Sequence, residues 1–183
     1  GQVGLRKGLD TLAEVAKRLA DIRPGIHWLL AGERFSLKAE SVEFENRVLL
    51  DFSGCLPALK LHRLGYRQDV PELMRAADLL VHGARQEPLG RVLLEAAASC
   101  LAIVATDVGG TGEIITDGES GLLTPVDSPD SITAAIVRLI DDESLREQLA
   151  ASAHRRIRND FGIAKSAEAL VNLWKSEISA AEP

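Results

Sequence analysis

Apolar residues recur along this chain in two spacings, short consecutive runs and stretches returning every three or four positions, and the two alternate from one end to the other. Leu9, Leu12, Ala16 and Leu19 mark a helix that closes before Pro24-Gly25. Residues 26–31 read as a short buried strand ending in Gly32-Glu33. Val42, Val48, Leu49 and Phe52 give residues 38–52 a helical spacing, whereas residues 59–64 alternate apolar and basic positions as a strand does. A short helix opens at residues 69–72, with Pro71 in its first turn, and runs to Ala77. Residues 79–82 form a strand that leads through a loop with Pro88 and Gly90 into a helix starting near Leu89. Residues 102–106 and 122–124 are further buried strands, separated by the Gly109-Gly110 turn and a helix around Glu113-Ile114-Ile115. Helices at 129–141, 143–159 and 164–179 complete the chain, the last with Ala167, Leu170, Val171 and Trp174 on one face. This alternation predicts an α/β fold, a Rossmann-like open parallel sheet with helices on both faces, in one domain over residues 1–183.

Charge and cysteine content narrow the function. A net charge of −6 without a basic stripe argues against nucleic acid and against anionic membrane as the main partner, so any phosphate must be captured locally. No apolar run reaches the roughly 20 residues of a membrane span. Cys55 and Cys100 fit no metal spacing and are expected as buried reduced thiols of a cytoplasmic protein. His27, His62, His82 and His154 are scattered, with no His-x3-His pattern and no carboxylate neighbour, so no metal site is expected.

The chemistry concentrates in residues 87–95, Glu-Pro-Leu-Gly-Arg-Val-Leu-Leu-Glu. A helix N-terminus at the carboxyl edge of a sheet is where α/β folds bind ligands. The backbone N–H groups of Leu89, Gly90, Arg91 and Val92 are expected to face the crevice and favour an anion such as phosphate. Glu87 in the loop and Glu95 a turn past Arg91 flank that anion site, and carboxylates accept hydroxyl hydrogen bonds. The plainer reading of Arg91 and Glu95 is a surface ion pair worth a few tenths of a kcal/mol. A second anion site is suggested by Arg6 and Lys7 among the glycines that open the first helix, against the plainer reading of a solvated basic turn.

Glu87-x7-Glu95, followed by Ala-Thr-x-x-Gly-Gly-Thr-x-Glu at 105–113 and Asp-Gly-x-x-Gly-Leu-Leu at 117–123, resembles the donor-binding half of the retaining glycosyltransferases of family 4. The resemblance covers nearly the whole chain and implies one half of a GT-B enzyme, two Rossmann-like domains across a cleft. It implies that Glu95 takes the ribose hydroxyls, Glu87 the hexose hydroxyls, the amides after Leu89 the sugar and phosphate, and Lys7 the diphosphate leaving group. Arg67 becomes a candidate to pack on the nucleobase, although a solvent-exposed arginine is as good a reading. The family carries Gly-Arg-x4-Lys-Gly at the opening; Lys7-Gly8 matches, whereas Gln2 replaces the arginine and contributes no charge unless Arg6 compensates. Gly83-Ala84 replaces the usual Pro-Ser, implying a looser turn, and Cys100-Leu101-Ala102 replaces Gly-x-Pro, implying an altered helix exit.

The resemblance also implies a nucleotide-diphosphate sugar as donor substrate with no cofactor and, as no Asp-x-Asp motif is present, no metal. The acceptor would be held by an N-terminal domain of the same enzyme, onto which helix 164–179 packs, and peripheral membrane association of that parent enzyme stays open. The family's sheet has a central strand before the opening loop; without one, two sheet edges and an apolar slot are expected. A non-catalytic or truncated nucleotide-sugar-binding module, and a sugar-nucleotide epimerase or phosphorylase of similar fold, remain as alternatives.

Overall fold

A computed structural model describes residues 4–55 and 57–181. After a 3₁₀ turn at Leu5–Lys7, the elements run α1 Leu9–Ile22, β1 His27–Ala31, α2 Ala39–Ser53, β2 Lys60–Gly65, α3 Val70–Ala76, β3 Leu79–His82 and α4 Arg91–Ala98. They continue as β4 Ala102–Thr106, α5 Thr111–Ile114, β5 Leu122–Thr124, α6 Pro129–Asp141, α7 Glu143–Asp160 and α8 Ile163–Ala181. The alternation expected from the periodicity is present, and every strand pairing is parallel.

β4 shows how the sequence sets the layers. All five of its residues are buried, because helices cover both faces of a parallel sheet and no position is left for water. Ala102 and Val104 face one core with α1, α2 and α6, built on Leu19, Phe52, Ile132 and Leu139. Ile103 and Ala105 face a second core with α3, α4 and α7, built on Met74, Leu93, Ala153 and Ile157. The period-two alternation of a strand thus serves two apolar layers at once.

The strands form two sheets, β1-β2 and β3-β4-β5, among the described residues. β1 and β3 border a common cleft, lined by Trp28, Leu29 and Leu30 on one side and Leu79, Leu80 and Val81 on the other. This is the apolar slot expected from the sequence. Trp28 and Leu30 turn their other face into the first core, whereas Leu29 is 41 % exposed. Along α8, Leu170, Val171 and Trp174 are exposed too, so its apolar stripe makes no core of its own.

The helix exit after α4 follows the expected departure. Cys100 adopts φ 54°, its N–H donates to the Ala97 carbonyl at 3.2 Å, and the Leu101 N–H donates to the Ala96 carbonyl at 3.0 Å. That is a Schellman termination with cysteine at the left-handed position that glycine fills without a Cβ penalty. Cys55 is buried as expected, but Cys100 is exposed, because a left-handed exit turns its side chain away from the core that Leu101 enters.

Two outcomes test this packing. Cys100→Gly raises stability by about 1 kcal/mol through relief of the left-handed strain, read as a denaturant midpoint shifted upward at constant slope. Phe52→Ala costs about 3–5 kcal/mol by leaving a cavity, while Leu29→Ala costs less than about 1 kcal/mol because the slot side of β1 is open. An equal cost for both would mean that the slot is filled in solution.

Candidate functional site

The site lies at the carboxyl ends of β1 and β3, where a cleft of about 760 Å³ is lined by Lys7, Arg67, His82, Glu87 and Glu95 together with Leu89, Gly90, Arg91 and Val92. Its centre is the Glu87 carboxylate, whose side chain is only 10 % exposed. Three donors hold it. The Lys7 ammonium and His82 Nε2, at 3.2 Å, both reach Oε2, and the Gly90 N–H donates to Oε1 at 3.0 Å. Burial opposes ionisation of this carboxyl, yet the Lys7 hydrogen bond and charge, with His82 and the Gly90 amide, hold it below the usual carboxylate range.

His82 was expected to have no carboxylate neighbour, and the structure corrects this. β3 delivers its last side chain to the sheet edge just beneath the loop in which Glu87 lies, so five residues of chain fold into one contact. The ring is 9 % exposed; burial, and then the Lys7 charge, push its pKa below the ordinary imidazole value, with Glu87 opposing. Its Nδ1 is buried without a hydrogen-bond partner among the described residues.

The loop is rigid because backbones meet where no side chain intervenes. Gly8, at φ 62°, lies so close to Gly83 that a Cβ would sit 1.8 Å from the Gly83 carbonyl oxygen. On the other side, a Cβ on Gly109 would lie 2.0 Å from the Glu87 carbonyl oxygen, and the Gly110 N–H donates to that same oxygen at 3.1 Å. Gly83-Ala84 therefore does not loosen the turn. Ala84 is fully buried, and its carbonyl accepts from the Thr106 hydroxyl at 2.6 Å.

Arg85 was not singled out from the sequence, and it ties three segments together. Its guanidinium donates to Asp10 Oδ1 at 2.7 Å and Oδ2 at 3.0 Å, to Asp127 Oδ2 at 3.0 Å, to the Leu5 carbonyl at 2.9 Å and to the Thr11 hydroxyl at 3.2 Å. All its N–H groups are engaged, and the hydrogen bonds to Asp10 and Asp127 raise its pKa further. The Arg85 backbone N–H also donates to the Arg6 carbonyl at 2.8 Å, which fixes the turn that carries Lys7.

The remaining candidates are less constrained. Glu95 is half-exposed on the cleft wall, 3.9 Å from an Arg91 guanidinium that is itself 86 % exposed, so the ion pair is weak. Arg67 is gripped by Asp69, with Nε 2.7 Å from Oδ1. Arg6 is exposed and is not among the cleft-lining residues, and Gln2 lies outside the described residues. α4 begins at Arg91, two residues later than expected, since Gly90 sits at φ 82° as its cap. The Gly90 amide is consequently occupied by Glu87, and the first-turn amides of α4 follow it. Among the described residues no group of three or more His, Cys, Asp or Glu could hold a metal ion, and no helix is long and apolar enough to cross a membrane.

The geometry places a helix N-terminus, a lysine and two carboxylates on one cleft, and the family model for glycosyl transferases group 1 matches residues 1–156. The chain belongs to the group 1 glycosyltransferases. It is 30 % identical over 175 residues to the lipopolysaccharide core biosynthesis glycosyltransferase LpsE of Rhizobium meliloti, covering 94 % of this chain and 47 % of that protein. Among solved structures it matches HepE of Anabaena in complex with UDP-glucose, with TM-score 0.83 and 25 % identity over 96 % of this chain and 47 % of the other. It also matches the C-terminal domain of a glycosyl transferase group 1 family protein, LpcC, from Francisella tularensis, with TM-score 0.75 and 27 % identity over 89 % of this chain and 84 % of that one. The group 1 chain described here spans about half the length of the curated relatives it matches.

The site predicts a pH dependence of stability. His82 and Glu87 both have folded-state pKa values lowered from their ordinary ones, so in each window the unfolded chain binds more protons and stability rises with pH. The His82 contribution is complete above its unfolded value of 6.5 and is lost as pH falls toward its lower folded value; the Glu87 contribution is lost below its unfolded value of 4.5. The urea midpoint therefore falls in two limbs as pH is lowered from about 7. The first limb shrinks in His82→Leu; an unaltered first limb in that variant would assign it elsewhere.

Proposed function

We propose that this domain binds a nucleotide-diphosphate sugar and that the protein containing it transfers the sugar to an acceptor with retention at the anomeric carbon. The observation that carries the reading is the convergence of Lys7, Glu87 and Glu95 on one cleft with the N-terminus of α4. Lys7 and the first-turn amides of α4 neutralise the diphosphate, whose departure is the charge-developing step that preorganised N–H groups and a cation stabilise. Glu95, half-exposed and weakly paired, accepts the ribose hydroxyls; Glu87 accepts hydroxyls of the hexose. Arg67, fixed by Asp69, presents its guanidinium plane to the base.

In this reading the reaction needs no metal and no cofactor, because the charge on the leaving group is met by Lys7 and backbone dipoles. The acceptor is held by an N-terminal domain of the same enzyme, toward which the apolar stripe of α8 turns, and the enzyme works in the cytoplasm. The isolated chain binds donor without turnover, since losing the group that positions the acceptor forfeits on the order of 7–11 kcal/mol of effective-concentration advantage.

Calorimetric titration of the chain with UDP-, GDP- and ADP-sugars tests the reading, and one of them is expected to bind without added metal. Glu95→Ala weakens nucleoside diphosphate and nucleotide sugar alike by roughly 1.5–3 kcal/mol, because the ribose is common to both. Glu87→Ala leaves free diphosphate binding in place and reduces discrimination among sugars. Equal losses for both ligands in Glu87→Ala refute that division of roles, and no binding of any of the three nucleotide sugars refutes the donor site.

A further inference from the structure

We infer that His82 is a positioning residue for Glu87, keeping its carboxylate aimed into the cleft after Lys7 has left it for a diphosphate. The inference rests on the donor reading above and deepens it. Among the described residues Glu87 has three partners, of which two are fixed: the Gly90 amide belongs to the helix cap and the His82 ring is 9 % exposed at the end of β3. Lys7 is the movable one, at 38 % exposed on a flexible stem. A dianionic diphosphate competes with Glu87 for that ammonium and draws its charge and N–H groups toward the cleft. When the diphosphate draws Lys7 away, Oε2 keeps a single donor, His82, and Oε1 keeps the Gly90 amide. One fixed donor on each oxygen locks the carboxylate plane and leaves the remaining lone pairs for two sugar hydroxyls.

The tautomer follows from the same geometry. Glu87 is ionised and can only accept, so Nε2 of His82 carries the proton and donates to Oε2. Nδ1 is then a bare acceptor, buried and without a partner among the described residues. An apolar residue ending β3 would avoid that orphan, and the neighbouring strand residues Leu79, Leu80 and Val81 are apolar. A buried polar atom left unsatisfied asks for an explanation other than stability, and the Nε2 contact to the reacting-side carboxylate supplies it.

The experiment compares wild-type chain, His82→Leu and His82→Gln, with UDP and UDP-glucose as probes and ¹⁵N NMR of the imidazole as a ligand-free readout. In the wild type the NMR shows the Nε2–H tautomer. His82→Leu keeps its affinity for UDP within about twofold and loses roughly tenfold of the preference for UDP-glucose over UDP, the loss expected for one hydrogen bond to a charged group. His82→Gln, whose amide nitrogen can reach the same carboxylate oxygen, restores most of that preference. Equal losses for UDP and UDP-glucose in His82→Leu, an undiminished preference, or an Nδ1–H tautomer would overturn the positioning role. If wild type binds neither probe, the donor reading fails for uridine nucleotides; the tautomer and the Glu87 carboxyl titration still decide the matter, since the titration moves upward in His82→Leu only if His82 stabilises the carboxylate.

Discussion

The structure turns on one buried carboxylate. Removing a charge from water costs several kcal/mol unless it is paired and hydrogen-bonded, and Glu87 meets that condition with two donors close in sequence and one 80 residues away. Lys7 comes from the turn before α1, His82 from the end of β3 and the Gly90 amide from the cap of α4. Each must be held to a fraction of an ångström, which accounts for the backbone-to-backbone contacts of Gly8 with Gly83 and of Gly109 and Gly110 with the 87–89 loop. Behind them stands β4, wholly buried and paired on both sides, as the rigid member of the site.

The charge of the cleft differs from that of the molecule as a whole. With a net charge of −6 the molecule as a whole repels phosphate, and screening confines that repulsion to about 8 Å at physiological ionic strength. Within the cleft the lining charges cancel, Lys7, Arg67 and Arg91 standing against Glu33, Glu87 and Glu95. Glu87 is already compensated by Lys7, the first turn of α4 offers partial positive charge, and Arg67 is locally neutralised by Asp69.

Much of this was legible in the sequence. The strands at 79–82, 102–106 and 122–124 and the helices that follow could be read from periodicity because each buries a continuous apolar face. Glu87 and Glu95 could be named because they flank a helix N-terminus at a sheet edge, and Lys7 because it lies among the glycines that open the first helix. What escaped was set by contacts between segments. Arg85 binds Asp10 and Asp127, which no local pattern brings near it. His82 looked like an isolated strand residue because the loop folds Glu87 back over it, and the Gly90 amide looked free because its acceptor is a side chain three residues earlier. Cys100 looked like a core thiol because composition says nothing of a left-handed exit.

Arg85 has a wider bearing than its contacts. It faces Asp10, Thr11, Asp127 and the Leu5 carbonyl, and it is not among the cleft-lining residues. The frame that sets the position of Lys7 is thus made from residues other than those that line the site. Leu89, Val92 and Tyr66 on the cleft wall make none of the clamp's hydrogen bonds, so exchanging them leaves its geometry in place. Cleft wall and frame are in this way separable.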